Sequence, residues 1–280
     1  MKRTIIILLA AILLLGAAGC QTKEAKKLTV AMSPDFAPME FVDTSKSGQE
    51  QYVGFDVTLA NFLADELGME LEIKPMSFDA CMTAVQLGSE DMAISGFSWK
   101  PDRAENFLLS DYYIAGDNET QQSVITVKAK ENTCATQADF SGWKVGAQAS
   151  ALQEQLVKVE LISAGAELVV YKSIDDAVLA LQTGKIDALA VAHGNGEAII
   201  ANNPDLAFTG FDFDVDPKYE NNVILLNKTN TEMLEKVNQV LAKAMAANLY
   251  DGWYEDAKAL AGIPTASEVS YNDDGTAPAN

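Results

Sequence analysis

Histidine occurs once in these 280 residues and cysteine three times, at positions 20, 81 and 134. Those numbers exclude both a Cys/His zinc site and a disulfide framework. Basic residues are scarce as well: 20 Lys and Arg stand against 40 Asp and Glu, a formal net charge of −20. So acidic a chain repels a phosphate backbone, which excludes nucleic acid as a partner. Long apolar runs are missing too. The longest, Ile5 to Ala18, has 14 residues, short of the about 20 that a membrane span needs. What remains is an ordinary folding composition, 48% hydrophobic and 21% charged, with length enough for two compact units. No metal or cofactor is implied.

The apolar run sits behind a basic start, Met1-Lys2-Arg3, and ends in Leu15-Gly16-Ala17-Ala18-Gly19-Cys20, small residues directly before a cysteine. This is the layout of an export signal. It resembles the bacterial lipobox, with Ala17 where Leu is commoner; a plain secretory signal with a coincidental cysteine is the alternative. The resemblance implies a signal peptide over 1–19, lipidation at Cys20, and a polar tether over 20–27. Two or more acyl chains on that cysteine would anchor the protein stably to the outer face of the cytoplasmic membrane. Cys81, among apolar helix positions, reads as a core thiol with no reason to pair with Cys134.

Beyond the tether, apolar periodicity alternates between strand and helix, the pattern of an α/β fold. Leu28–Met32, Met69–Ile73, Met92–Ile94 and Ala188–Val191 read as strands. Val57, Leu59, Ala60, Leu63 and Leu67 form a helical stripe ending near Gly68. Thr229-Asn230-Thr231-Glu232 reads as a capping box before a helix through Met233, Leu241 and Met245. The final stretch (264–280), rich in Ser, Asp, Gly and Pro from Thr265 on, is expected to be disordered.

An internal repeat gives the most information. Ser77 to Asp91 can be laid on Ser173 to Asp187 at a constant offset of 96, with identity at Ser77, Asp79, Ala84, Gln86, Gly88 and Asp91. Each copy reads as a Ser-capped helix, a glycine stop and a buried strand. The repeat implies two lobes of one architecture, each ending at a cleft, because ligands of open α/β sheets bind beyond the carboxyl ends of strands. That directs attention to Ser95–Arg103 and to Ala192–Gly196.

Four stretches resemble the bacterial extracellular solute-binding proteins that feed polar amino acids to ABC importers. They are Ser33-Pro34-Asp35-Phe36-Ala37-Pro38-Met39-Glu40-Phe41, Gly54-Phe55-Asp56-Val57-Thr58-Leu59-Ala60, Ser95-Gly96-Phe97-Ser98-Trp99-Lys100-Pro101-Asp102-Arg103, and Val145-Gly146-Ala147-Gln148-Ala149-Ser150-Ala151-Leu152-Gln153-Glu154. The resemblance covers nearly all of 28–262 and implies a two-lobed periplasmic-binding-protein type 2 fold. Each lobe would be a mostly parallel sheet flanked by helices, with lobe one at 28–120 and 223–263 and lobe two at 121–222. Hinge strands would run near Gln121–Val127 and Asn222–Leu226.

The same resemblance supplies candidate ligand-binding residues. Arg103 would grip a carboxylate, a role suited to its planar fork, and Pro101 would start a helix just before it. Phe36 would cover the ligand. Ser95, Gly96, Phe97 and Ser98 would contribute carbonyls, hydroxyls and close backbone approach. Trp99 would either roof the cleft or pack on Lys100. The turn at Ser150, Ala151, Leu152 and Gln153 would offer N–H groups. In the second lobe the family usually places an Asp where Ala192 stands, followed here by His193. Either another acid (Asp35 or Glu197) meets the ligand's ammonium, or the ligand has none that is free. Ser33, where Asp is common, weighs against a basic amino acid.

The expected function is that of a monomeric, lipid-anchored, extracytoplasmic binding protein. It would capture an amino acid or derivative by lobe closure and deliver it to an ABC permease and its ATPase. The same fold hosts dehydratases, so an enzyme is an alternative, although a lone His193 leaves acid–base work to carboxylates. An extracytoplasmic ligand-sensing domain is another.

Overall fold

The computed structural model describes residues 26–113, 121–219 and 221–264. The expected signal peptide, Cys20 and the tail from Thr265 on lie outside the described residues. Strand β1 (Lys27–Met32) precedes a small antiparallel sheet of β2 (Asp35–Phe36), β3 (Glu40–Val42) and β4 (Tyr52–Val53). Helix α1 (Phe55–Leu67) leads to β5 (Glu70–Pro75), α2 (Phe78–Leu87) to β6 (Met92–Ala93), and α3 (Pro101–Asn106) to β7 (Leu108–Leu109). The second lobe runs through β8 (Gln122–Val127), β9 (Lys144–Gln148), α4 (Leu152–Leu156), β10 (Glu167–Tyr171), α5 (Ile174–Gln182), β11 (Ala188–Ala192), α6 (His193–Asn202) and β12 (Leu206–Asp212). The chain then returns to the first lobe as β13 (Leu225–Leu226), α7 (Thr231–Ala246) and α8 (Leu249–Leu260).

The two five-stranded sheets have corresponding orders, β5-β1-β6-β13-β7 and β10-β9-β11-β8-β12. In each, four strands point the same way and one, β13 or β8, runs antiparallel to both its neighbours. Both sheets are therefore mixed. The antiparallel strands are those beside the crossings between lobes, β8 on the way out and β13 on the way back. Near the return, Asn222 bridges both Ser98 and Tyr113.

The repeat has a structural counterpart. Helices α2 and α5 each start after a serine, but only Ser173 caps its helix, accepting from the Asp176 N–H; the Ser77 hydroxyl donates to Asp79 instead. Gly88 and Gly184 both take left-handed φ, +71° and +70°, a conformation a side chain would strain. Asp91 accepts from the Thr29 N–H on β1, and Asp187 from the Lys144 N–H on β9. The shared aspartate thus ties each copy to its neighbouring parallel strand.

Two sequence expectations change. The capping box at Thr229 does not form: α7 starts at Thr231 behind Asn230, while the Thr229 N–H and hydroxyl turn to the Asn227 side chain. The stretch from His193 onward, whose two glycines favour a loop, opens a ten-residue helix instead.

In the first lobe, Phe55 sits in a cage of Tyr113, Tyr250, Trp253 and Tyr254, with ring centroids 5.9–6.2 Å away. Aromatic burial of this kind fixes the start of α1. Gly54 before it has φ +120°, and a Cβ there would lie 2.3 Å from the Met39 carbonyl oxygen. Only glycine lets the two segments meet. Cys81 and Cys134 are buried and unbonded, and burial pushes the Cys81 thiol pKa up.

Candidate functional site

The Gly54-Phe55-Asp56 and Met39-Glu40 stretches act on the cleft through one acid pair. Asp56, at the start of α1, accepts from the Gly96 N–H at 2.7 Å and the Tyr113 hydroxyl at 3.0 Å. Glu40 on β3 accepts from the Ser95 hydroxyl, which in turn accepts from the Ser33 N–H. Both carboxyls are fully buried. Burial first, then the neighbouring Asp56 charge, raises the Glu40 pKa well above the usual range, and burial raises that of Asp56 to about 7. Glu40 carries the shared proton, because Asp56 has the better donors to hold a charge. The pair clamps Ser95 and Gly96 from beneath.

Gly96 itself has φ +54°, and a Cβ would come 2.7 Å from the Phe36 ring. Phe36 lies against the apolar clusters of both lobes. Arg103, on the short helix α3, is 1% exposed. Its guanidinium carbon lies 5.2 Å from the Phe97 ring centroid and 5.5 Å from that of Phe78, within cation–π range. Nη1 donates to the Ser98 carbonyl and Nη2 to the Ser150 carbonyl at 3.0 Å, so the side chain joins the lobes. Nε is buried without a partner. Three of the fork's five N–H donors therefore stay available. Burial lowers the Arg103 pKa to about 10, which leaves it charged at neutral pH.

Three further bonds cross between lobes. Asp35 accepts from the Ile174 N–H at 2.8 Å, and from the Gln148 amide. Asn195 Nδ2 donates to the Ala37 carbonyl at 2.8 Å. The cleft they enclose is narrow, a cavity of about 40 Å³.

Around this cleft lie Phe36, Ser95, Gly96, Ser98, Arg103, Ala151, Leu152, Gln153 and Ala192, all expected there from the sequence. Three expected residues do not line it. Phe97 is fully buried behind the loop, stacked on Phe78 at 4.5 Å, where it supports Arg103 from below. His193 turns away because its ring stacks on Phe208 at 4.5 Å and its Nδ1 bonds the Ser123 hydroxyl. Ser150 has φ +65° and presents its carbonyl to Arg103. The N–H groups of Ser150 and Ala151, expected to face the ligand, are taken by Glu154 and by the Gln148 carbonyl. Trp99 stacks on Tyr219 outside the cleft. Of the two acids considered for an ammonium, Asp35 lines the cleft and Glu197 does not.

Sequence reasoning missed Gln122, Gln148 and Asn222 and reached Asn195 only as part of the Ala192–Gly196 stretch; all four line the cleft. Gln122 and Asn222 come from the crossings, and Gln153 donates to Gln122 at 2.6 Å. Asn195 lies three residues past Ala192, on the same helical face once α6 is recognised.

The chain is similar to known proteins over most of its length. The model of the bacterial extracellular solute-binding proteins, family 3, matches residues 28–256. The chain belongs to that family. Its similar structures include the amino acid ABC transporter substrate-binding protein AbpA of Streptococcus pneumoniae, bound to L-arginine. That match has 34% identity and a TM-score of 0.76, and covers 85% of this chain and 97% of that one. The arginine-binding extracellular protein ArtP of Bacillus subtilis is 27% identical over 86% of this chain and 92% of its own length. ABC transporter arginine-binding protein 1 of Escherichia coli is 25% identical over 91% and 99%. Family 3 membership makes this an extracellular solute-binding protein with the two-lobed type 2 fold, and these relatives are binding proteins.

Proposed function

We propose that this protein captures an amino acid or amino-acid-like carboxylate between its lobes and delivers it, chemically unchanged, to an ABC permease and its ATPase. The observation that carries the reading is Arg103: buried against a stacked pair of phenyl rings at the lobe junction, with an unpaired Nε and no carboxylate partner among the described residues. Leaving such a cation unmatched is costly, and a ligand carboxylate meets the need with paired charge-assisted bonds. Relatives that carry arginine-binding and amino-acid-transport names support the ligand class. Binding without turnover fits the one imidazole being stacked on Phe208 away from the cleft.

Lobe closure is the mechanism in this reading, with lobe one at 28–120 and 223–263 and lobe two at 121–222. The closed form is what a permease would recognise. Lipid attachment at Cys20, supported by the Gly19-Cys20 junction after the apolar run, would keep the protein at the outer face of the cytoplasmic membrane.

Titration calorimetry against a panel of L-amino acids and their derivatives tests the function. Arg103→Ala is expected to cost about 2–5 kcal/mol, at least roughly 30-fold in affinity. Undiminished binding in that variant refutes the assignment.

A further inference from the structure

Charges in the cleft are unequally matched. The ionisable side chains that line it are Asp35, Glu40, which holds a proton, and Arg103. Asp35 has no cation beside it, but its oxygens already accept from three neutral donors, the Ser33 hydroxyl at 2.9 Å, the Ile174 N–H and the Gln148 amide, the last two from the opposite lobe. Glu40 is engaged by Ser95 and Asp56. Arg103 has only carbonyl partners, and the one carboxylate near enough to act on it, Asp102, has a side chain 65% exposed to water. One buried cation therefore awaits an anion.

The facing wall shows the opposite shortage. Strand β11 contributes Leu189, Ala190, Val191 and Ala192, without a charge. From β11 and α6 together, the only polar side chain that reaches the lining is Asn195. It is 1% exposed; its amide nitrogen is committed to Ala37, and its Oδ1 has no partner. That oxygen is a neutral acceptor, buried, at the edge of an apolar wall.

A zwitterion would bring a carboxylate that Arg103 needs and an ammonium that nothing on this wall can neutralise. Burying an unpaired ammonium costs several kcal/mol, whereas an amide N–H needs only one acceptor. We propose that the ligand is a monoanion, a carboxylate whose α-nitrogen is an uncharged N–H, as in an N-acylated amino acid. Arg103 holds its carboxylate and Asn195 Oδ1 accepts its N–H. The proposal rests on the reading of the cleft as a site for amino-acid-like carboxylates and narrows it.

The test is calorimetry on the purified protein with matched pairs: L-glutamine, L-methionine and L-leucine, each beside its N-acetyl form, with free L-arginine as a further ligand. The expected result is that at least one acetylated member binds at least tenfold more tightly than its parent and than L-arginine. Asn195→Leu should lose at least tenfold for that ligand. Because Asn195 also bonds Ala37, a second variant protects the test from a folding failure. Ala192→Asp leaves that bond in place and sets a carboxylate on the bare wall. It should reverse the preference, weakening the acetylated ligand and strengthening the free amino acid, each by at least tenfold. Free amino acids preferred in every pair, L-arginine bound tightest, or an unchanged ratio in Ala192→Asp would each overturn the monoanion and leave the amino-acid-like cleft standing. Binding of none of these compounds would overturn both.

Discussion

Ser77–Asp91 and Ser173–Asp187 fold alike and end at the same cleft, yet the segments beyond them have little in common. After the first copy comes Ser95-Gly96, clamped by Glu40 and Asp56, and then the buried Arg103. After the second comes Ala192 and a helix whose cleft-facing polar group is one neutral amide. The framework was repeated and the chemistry was not. Sequence identity at the glycine stop and the strand-tying aspartate preserves geometry; the residues beyond the strand end are where the lobes diverge.

The largest effect should come from Gly96→Ala, at which left-handed backbone and the Phe36 ring both oppose a methyl group. We expect a loss of about 2–4 kcal/mol, read by denaturant unfolding, together with weakened binding. Gly184→Ala in the other lobe meets backbone strain alone, since nothing lies within 4 Å of a Cβ there, and should cost about 1 kcal/mol. Equal losses would show that the Phe36 contact contributes nothing. Next come Asp91→Asn and Asp187→Asn, each removing charge from a bond to the neighbouring strand. Both should destabilise by about 1.5–3 kcal/mol, and a marked inequality would break the parallel between the copies. Asp35→Asn should cost only about 1 kcal/mol in apparent affinity by loosening the bond to the Ile174 N–H across the cleft. Small-angle scattering should then show a more open average shape.

The smallest effect is read as a slope. Glu40 and Asp56 hold protons in the folded protein at pH values where the unfolded chain, with ordinary values of 4.5 and 3.8, has released them. Where the folded state binds more protons, stability falls as pH rises, here from about pH 4 upward through the raised pKa values. Glu40→Gln, which keeps the hydrogen bonds and cannot titrate, should flatten the decline in melting temperature between pH 5 and 7. An unchanged slope would mean that the pair does not share its proton as described.

Much of this was legible from residues alone. Alternating periodicity and the 96-residue offset give two like lobes, and Pro101 correctly starts the helix that carries Arg103. Side-chain direction was not legible. Ser98 and Phe97 are neighbours in sequence, yet one lines the cleft while the other is packed behind it, and only tertiary contacts decide which. His193 reads as a loop residue because two nearby glycines weaken helix propensity; packing of α6 on Phe208 overrides that preference, and with it the position of Asn195. The acid pair escapes notice because Glu40 and Asp56 are 16 positions apart and belong to separate motifs, so no local spacing joins them.

Phe36 and Gly96 leave each other no slack, and the acid pair holds the backbone below them. One jaw is thus a fixed anvil whose parts cannot be exchanged singly. The opposite jaw, lined by small aliphatic residues along β11, can accept a new functional group at one position without dismantling its neighbours. Evolutionary drift in ligand preference should therefore accumulate on that side, one residue at a time, while the arginine and its aromatic bed stay as they are.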